Sequence, residues 1–79
     1  MLSSPALYDR LRDLRAQIAH REHIPAYIVF SNATLQAMAA KQPQTPDELL
    51  SVSGVGSVKT KRYGESFLKE IALWREAEH

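Results

Sequence analysis

The chain has no cysteine, a single tryptophan, only three glycines and a net charge of +1 from ten basic and nine acidic residues. Without thiols there is no disulfide and no thiolate metal centre, so packing alone must hold the fold, and the composition fits a reducing compartment such as the cytoplasm. The longest unbroken apolar run, residues 26–30, is far short of the roughly 20 residues a bilayer span requires. The amino terminus also lacks the basic and apolar segments of a signal peptide, so a soluble cytoplasmic protein with no membrane partner is expected. A charge so near zero excludes the broad field of a strongly cationic nucleic-acid binder; any such site must be local and weak.

Catalytic chemistry is equally thin. Three aspartates at 9, 13 and 47 form no paired-metal arrangement, and no serine has an evident histidine base. His20 and His23 are three apart, but only Glu22 accompanies them, which is not a convincing metal set. No catalytic residue, metal or cofactor is therefore expected.

What is present is helical periodicity. Leu7, Leu11, Leu14 and Ile18 share one face of a helix ending near His23, with Ser4 a candidate N-cap and Pro5 at the first helical position. Asp9, Arg10, Arg12, Asp13 and Arg15 occupy the other face, where intrahelical pairing is expected to neutralise the arginines. The segment PAYIVFSNATL, residues 25–35, has no alternating partner strand. It reads as an irregular or 3₁₀ turn plugged into the core by Ile28 and Phe30, leaving Tyr27 and Val29 outward. Ser31 and Asn32 cap a second helix through Leu35 and Met38 that Pro43 stops.

Thr45-Pro46-Asp47-Glu48 has the form of a capping box and opens a short third helix carrying Leu49, Leu50 and Val52. A final helix from about Ser57 places Tyr63, Phe67, Ile71 and Trp74 on one face, supported by Leu68 and Ala72. Gly64 lies inside it, where glycine costs about 1 kcal/mol relative to alanine; close approach of the third or first helix would account for it. The sum is one domain, residues 1–79, an all-α bundle of four to five short helices.

The segment SVSGVGSVK, residues 51–59, joins the last two helices through Gly54, Val55 and Gly56. A tight glycine turn between two short helices, followed by Lys59, Lys61 and Arg62, has the form of a helix–hairpin–helix element. Amides at a helix N-terminus carry partial positive charge and accept a phosphate oxygen without reading a base. The plainer reading is that the glycines only turn the chain and Val55 plugs the core. A nucleotide-binding P-loop is excluded, because Val58 stands where glycine must precede the lysine and no strand leads in.

PAYIVFSNATL and PQTPDELLSVSGVGSVKTKRYG together resemble the helicase-and-RNase-D C-terminal domain, HRDC, across essentially residues 7–74. The shared residues are Pro25, Tyr27, Phe30, Thr34 and Leu35 in the first block and Leu49, Val52, Gly54, Val55, Gly56, Lys59, Tyr63 and Gly64 in the second. The resemblance implies a non-catalytic, monomeric accessory domain of a larger ATP-dependent RecQ-type DNA helicase, or of an RNase D-type exonuclease. It also implies weak binding of single-stranded or branched DNA that tunes the motor's substrate choice, with Tyr27 on the binding surface. Contact is expected at Tyr27, Gly54, Val55, Gly56, Lys59 and Arg62, by stacking on the tyrosine and phosphate binding at the rest. The alternative is a module that docks on the parent helicase core with little DNA binding, favoured by the near-zero charge and by the acidic residues Glu70, Glu76 and Glu78.

Overall fold

The computed structural model describes residues 3–77, with side chains from Ala6 onward, and its elements are five helices and no strand among those residues. They run α1 (Ser3–Glu22), α2 (Ala26–Val29), α3 (Asn32–Lys41), α4 (Pro46–Leu50) and α5 (Gly56–Ala77). At 1.5 Å per residue α5 is about 33 Å long, and it sets the 35 Å long axis of the molecule. Against α5 pack α1 and α4; α2 and α3 pack on α1.

Each chain reversal has a local cause. α1 ends in a Schellman motif: His23 turns left-handed at φ 60, its N–H donates to the His20 carbonyl and that of Ile24 reaches back to Ala19, so the last carbonyls are satisfied. Pro25 then forbids continuation. α1 begins at Ser3, one residue before the expected cap; the side-chain contacts of Ser4 and Pro5 lie outside the described residues. Ser31 caps α3 by accepting from the Thr34 amide at 3.1 Å. Gln42 closes that helix at φ 50 ahead of Pro43. Thr45 accepts from the Glu48 amide at 3.1 Å, while the Glu48 carboxylate reaches back to the Gln44 amide at 2.9 Å rather than to Thr45. The capping box is present, displaced by one residue.

The core is a single layer between α1 and α5, closed by the short helices. Leu7, Leu11 and Ile18 from α1 meet Leu35 and Met38 of α3 and Tyr63, Phe67, Ile71 and Trp74 of α5; Leu14 is only partly buried. At its centre Phe30 stands edge-on to Phe67 (centroids 5.0 Å apart, planes at 86°) and to Tyr63 (6.1 Å, 72°). Such pairs contribute about 0.5–1.5 kcal/mol each beyond burial. Gly64 faces α4, where an added Cβ would meet Leu49 Cδ2 at 3.3 Å. That contact is the close approach the helix-interior glycine required.

The segment after Pro25 departs from the expected turn. It is one turn of α-helix, with the Phe30 N–H reaching the Ala26 carbonyl at 3.4 Å. Helical geometry puts Val29 and Phe30 together in the core at 0% exposure and leaves Ile28 outside at 44%; the expected alternation of Ile28 in and Val29 out belongs to an extended chain. Leu50 and Ala72 also face outward rather than supporting the core.

Arg10 and Arg15 of α1 find partners across the fold, while Arg12 stays against a ring of its own helix. Arg10 Nε donates to Glu70 on α5 at 2.6 Å, Arg15 Nη1 donates to the Phe30 carbonyl at 2.9 Å, and Arg12 lies 6.0 Å from the Tyr8 ring centroid. The four-residue spacing permits intrahelical pairs worth only a few tenths of a kcal/mol. More distant acceptors on α2 and α5 displace them. Among the described residues no helix is long and apolar enough to cross a membrane, and no group of three or more metal-ligating side chains gathers.

Candidate nucleic-acid interface

Tyr27 is the most exposed aromatic, at 68%, yet its backbone is firmly held. The helical turn that carries it is fixed at one end by Pro25, whose carbonyl accepts from Ile28 at 3.0 Å. At the other end Arg15 grips the Phe30 carbonyl, and the Val29 and Phe30 side chains are fully buried. A rigid base with a free ring is what a stacking contact needs, because little conformational freedom remains to be lost on binding.

Lys59, in the first turns of α5, extends over the opposite end of that turn with its Nζ 5.7 Å from the Phe30 ring centroid. The same phenylalanine that anchors the Tyr27 turn therefore positions the cation. A lysine over an aromatic face is steadied without losing its charge.

The two turn glycines have different tasks. Gly54, at φ 91, backs onto α3: a Cβ there would overlap Thr34 Oγ1, which is itself bonded to Ser31 Oγ at 3.0 Å. Gly56, at φ 72, opens α5 and has no neighbour within 4 Å of where its Cβ would lie. A group approaching the first amides of α5, which have no partner within the helix, meets no obstacle at Gly56. Val55 takes the plainer of its two readings. Its side chain is 2% exposed and its N–H is spent on the Val52 carbonyl at 3.2 Å, so it plugs the core and has neither atom available for a phosphate.

Arg62 is drawn into the fold as well. Its Nη2 donates to Glu22 Oε1 at 3.0 Å, and its guanidinium lies 5.4 Å from the Tyr63 ring centroid. The Tyr63 hydroxyl donates to the same Glu22 oxygen at 3.0 Å. Burial, and then the hydrogen bond to Glu22, push the Tyr63 hydroxyl above its ordinary value of 10.0. Lys59 thus lies against Phe30 beside the Tyr27 turn and Arg62 against Glu22 at the end of α1, while Gly54 and Val55 are packed against the fold. Sequence reasoning named Glu22 only beside His20 and His23 and Thr34 only among the residues shared with the resembled family, and gave neither its partner here. Glu22 lies forty residues from Arg62 and Thr34 twenty from Gly54, separations that no local period encodes.

A family model described as the HRDC domain matches residues 4–71. The chain is 54% identical over 65 residues to the ATP-dependent DNA helicase RecQ of Pasteurella multocida, covering 82% of this chain and 10% of that protein. To RecQ of Bacillus subtilis it is 49% identical over 68 residues, covering 86% and 12% respectively. Among solved structures, the third HRDC domain of D. radiodurans RecQ superposes with a TM-score of 0.84 at 41% identity, covering 86% of this chain and 90% of that one. The chain spans about a tenth of the length of the curated relatives it matches.

Proposed function

This chain belongs to the HRDC domain family, and from that premise we propose that it is a non-catalytic accessory domain of a RecQ-like DNA helicase that binds single-stranded or branched DNA weakly and tunes the motor's choice of substrate. The observation that carries the reading is Tyr27, exposed on a clamped helical turn whose anchor, Phe30, also holds Lys59. In this reading an unpaired base stacks on Tyr27, contributing about 1–3 kcal/mol. Lys59 and the open amides beginning at Gly56 receive the adjoining phosphates, and Arg62 adds a second cation. None of these contacts reads a base edge, so the domain distinguishes unpaired from paired strands rather than one sequence from another.

The test is affinity for a fluorescent single-stranded oligonucleotide. Tyr27→Ala is expected to weaken binding by roughly 5-fold to 150-fold, the equivalent of that stacking energy. Lys59→Ala is expected to weaken it uniformly across sequences. Full affinity in a folded Tyr27→Ala variant rules out the assignment.

A second reading, docking on the parent helicase, draws on a different face. Pro46, Thr60, Lys61, Gly64, Glu65 and Leu68 line an open, largely apolar groove of about 410 Å³ between α4 and α5. A domain that fails to bind DNA at low salt but alters the activity of a helicase core added in trans would favour it.

A further inference from the structure

Glu22 binds the two donors, Arg62 and Tyr63, through one oxygen, much as a phosphate oxygen would bind them. We propose that Glu22 is an internal stand-in for a DNA phosphate, occupying Arg62 until a strand displaces it, and that it sets the affinity of the Tyr27 surface. This rests on the reading of that surface as a nucleic-acid contact.

Glu22 is poorly placed for its own helix: it is the last residue of α1, where the dipole disfavours a negative charge. Arg62 and Tyr63, both on α5, supply what the helix end withholds. The arginine side chain is 59% exposed and that of Glu22 28%, so solvent screens the pair and exchange of one anion for another is easy. Tyr63 makes the exchange orderly. Its ring lies beneath the guanidinium and limits how far Arg62 swings, while its hydroxyl keeps the displaced carboxylate in place. Because burial and Glu22 raise the Tyr63 pKa, that hydroxyl remains a donor throughout the neutral range. Phe30, edge-on to the Tyr63 ring, connects this cluster to the turn bearing Tyr27.

An approaching phosphate therefore meets a neutralised arginine and a like-charged carboxylate. Removing the carboxylate's charge should free one cation. Glu22→Gln preserves the side chain's length and its oxygen acceptor, and Glu76→Gln changes net charge equally at the far end of α5, about 30 Å from Gly56 by the helical rise. The experiment titrates a fluorescent single-stranded oligonucleotide with the 79-residue chain as wild type, Tyr27→Ala, Glu22→Gln, Glu76→Gln and Glu22→Gln/Arg62→Gln, with thermal melts to establish folding.

Glu22→Gln is expected to tighten binding roughly threefold to tenfold, the share of one added hydrogen-bonded contact. The slope of log K against log salt should stay close to that of wild type, because Arg62 meets the same phosphate in both once Glu22 is displaced. Glu76→Gln should change affinity by less than about twofold, as screening beyond a Debye length requires. The double variant should lose the gain. Equal effects of the two glutamate substitutions, or a gain that survives loss of Arg62, overturn the proposal. Binding that depends on Tyr27 but is indifferent to Glu22 overturns it alone; absence of binding in every folded variant removes the Tyr27 reading beneath it.

Discussion

Gly54→Ala should be among the most damaging single-methyl changes available to this domain. Its φ of 91 lies where an L-residue is strained, at a cost of about 1–3 kcal/mol. The new Cβ would also overlap Thr34 Oγ1, and forcing a methyl group into a filled site costs a further 1–3 kcal/mol or so. Thr34 is 6% exposed and bonded to Ser31, so it cannot retreat without losing its hydrogen bond. The total is about 2–6 kcal/mol. At about 0.05–0.15 kcal/mol per residue, a chain of 79 residues has only about 4–12 kcal/mol of stability in all. Gly56→Ala is the internal control, because its φ of 72 brings strain but no collision; it should cost only the first part. Urea denaturation followed by the fluorescence of Trp74, the single tryptophan, measures both. A Thr34→Ala background should remove the collision, giving a coupling with Gly54→Ala of about 1–3 kcal/mol. Equal losses at the two glycines, or no coupling to Thr34, would refute the argument that Gly54 is there for packing against α3.

Arg15→Met should lower stability by about 1–2 kcal/mol, the lower end of what a charge-assisted hydrogen bond contributes because the site is part-exposed, and should speed amide exchange in residues 26–30 above that in α5. For pH, the Tyr63 hydroxyl is raised above its usual 10.0 by burial and by Glu22. A raised pKa means that the folded state favours the protonated form. The stabilisation is complete below the unfolded value near 10 and fades as pH climbs through the folded value. Chemical denaturation across alkaline pH should therefore show a loss of stability beginning near pH 10 that Tyr63→Phe abolishes; an unchanged profile in that variant would assign the loss to another group.

The helices that could be read in the chain are those whose signals are local. Ser31, Thr45 with Glu48, and the face running from Tyr63 to Trp74 each depend on residues within a few turns; Ser31 and that face stand where the sequence placed them, and the capping box stands one residue away. PAYIVF misled because four residues are too few to separate period 2 from period 3.6. One helical turn exchanged Ile28 for Val29 in the core. The site shows the same division. Tyr27's exposure was expected from the same alternation that failed at Ile28 and Val29 and holds because the helical turn also leaves it outside, but the engagement of Arg62 by Glu22, the hold of Arg15 on Phe30 and the fit of Gly54 against Thr34 are products of tertiary packing. Charges on α1 were legible as residues and illegible as pairs, since Arg10 had a partner in its own helix on paper and chose Glu70, sixty residues away.

The most direct measurement of the central claim is the salt dependence of oligonucleotide binding by fluorescence anisotropy. Three phosphates neutralised at Lys59, Arg62 and the start of α5 predict a slope of log K against log salt near about −2, from roughly 0.7 per phosphate on a single strand. The slope should fall toward zero when Lys59 and Arg62 are both replaced by alanine. No binding at low salt, or a slope untouched by those replacements, would contradict the account.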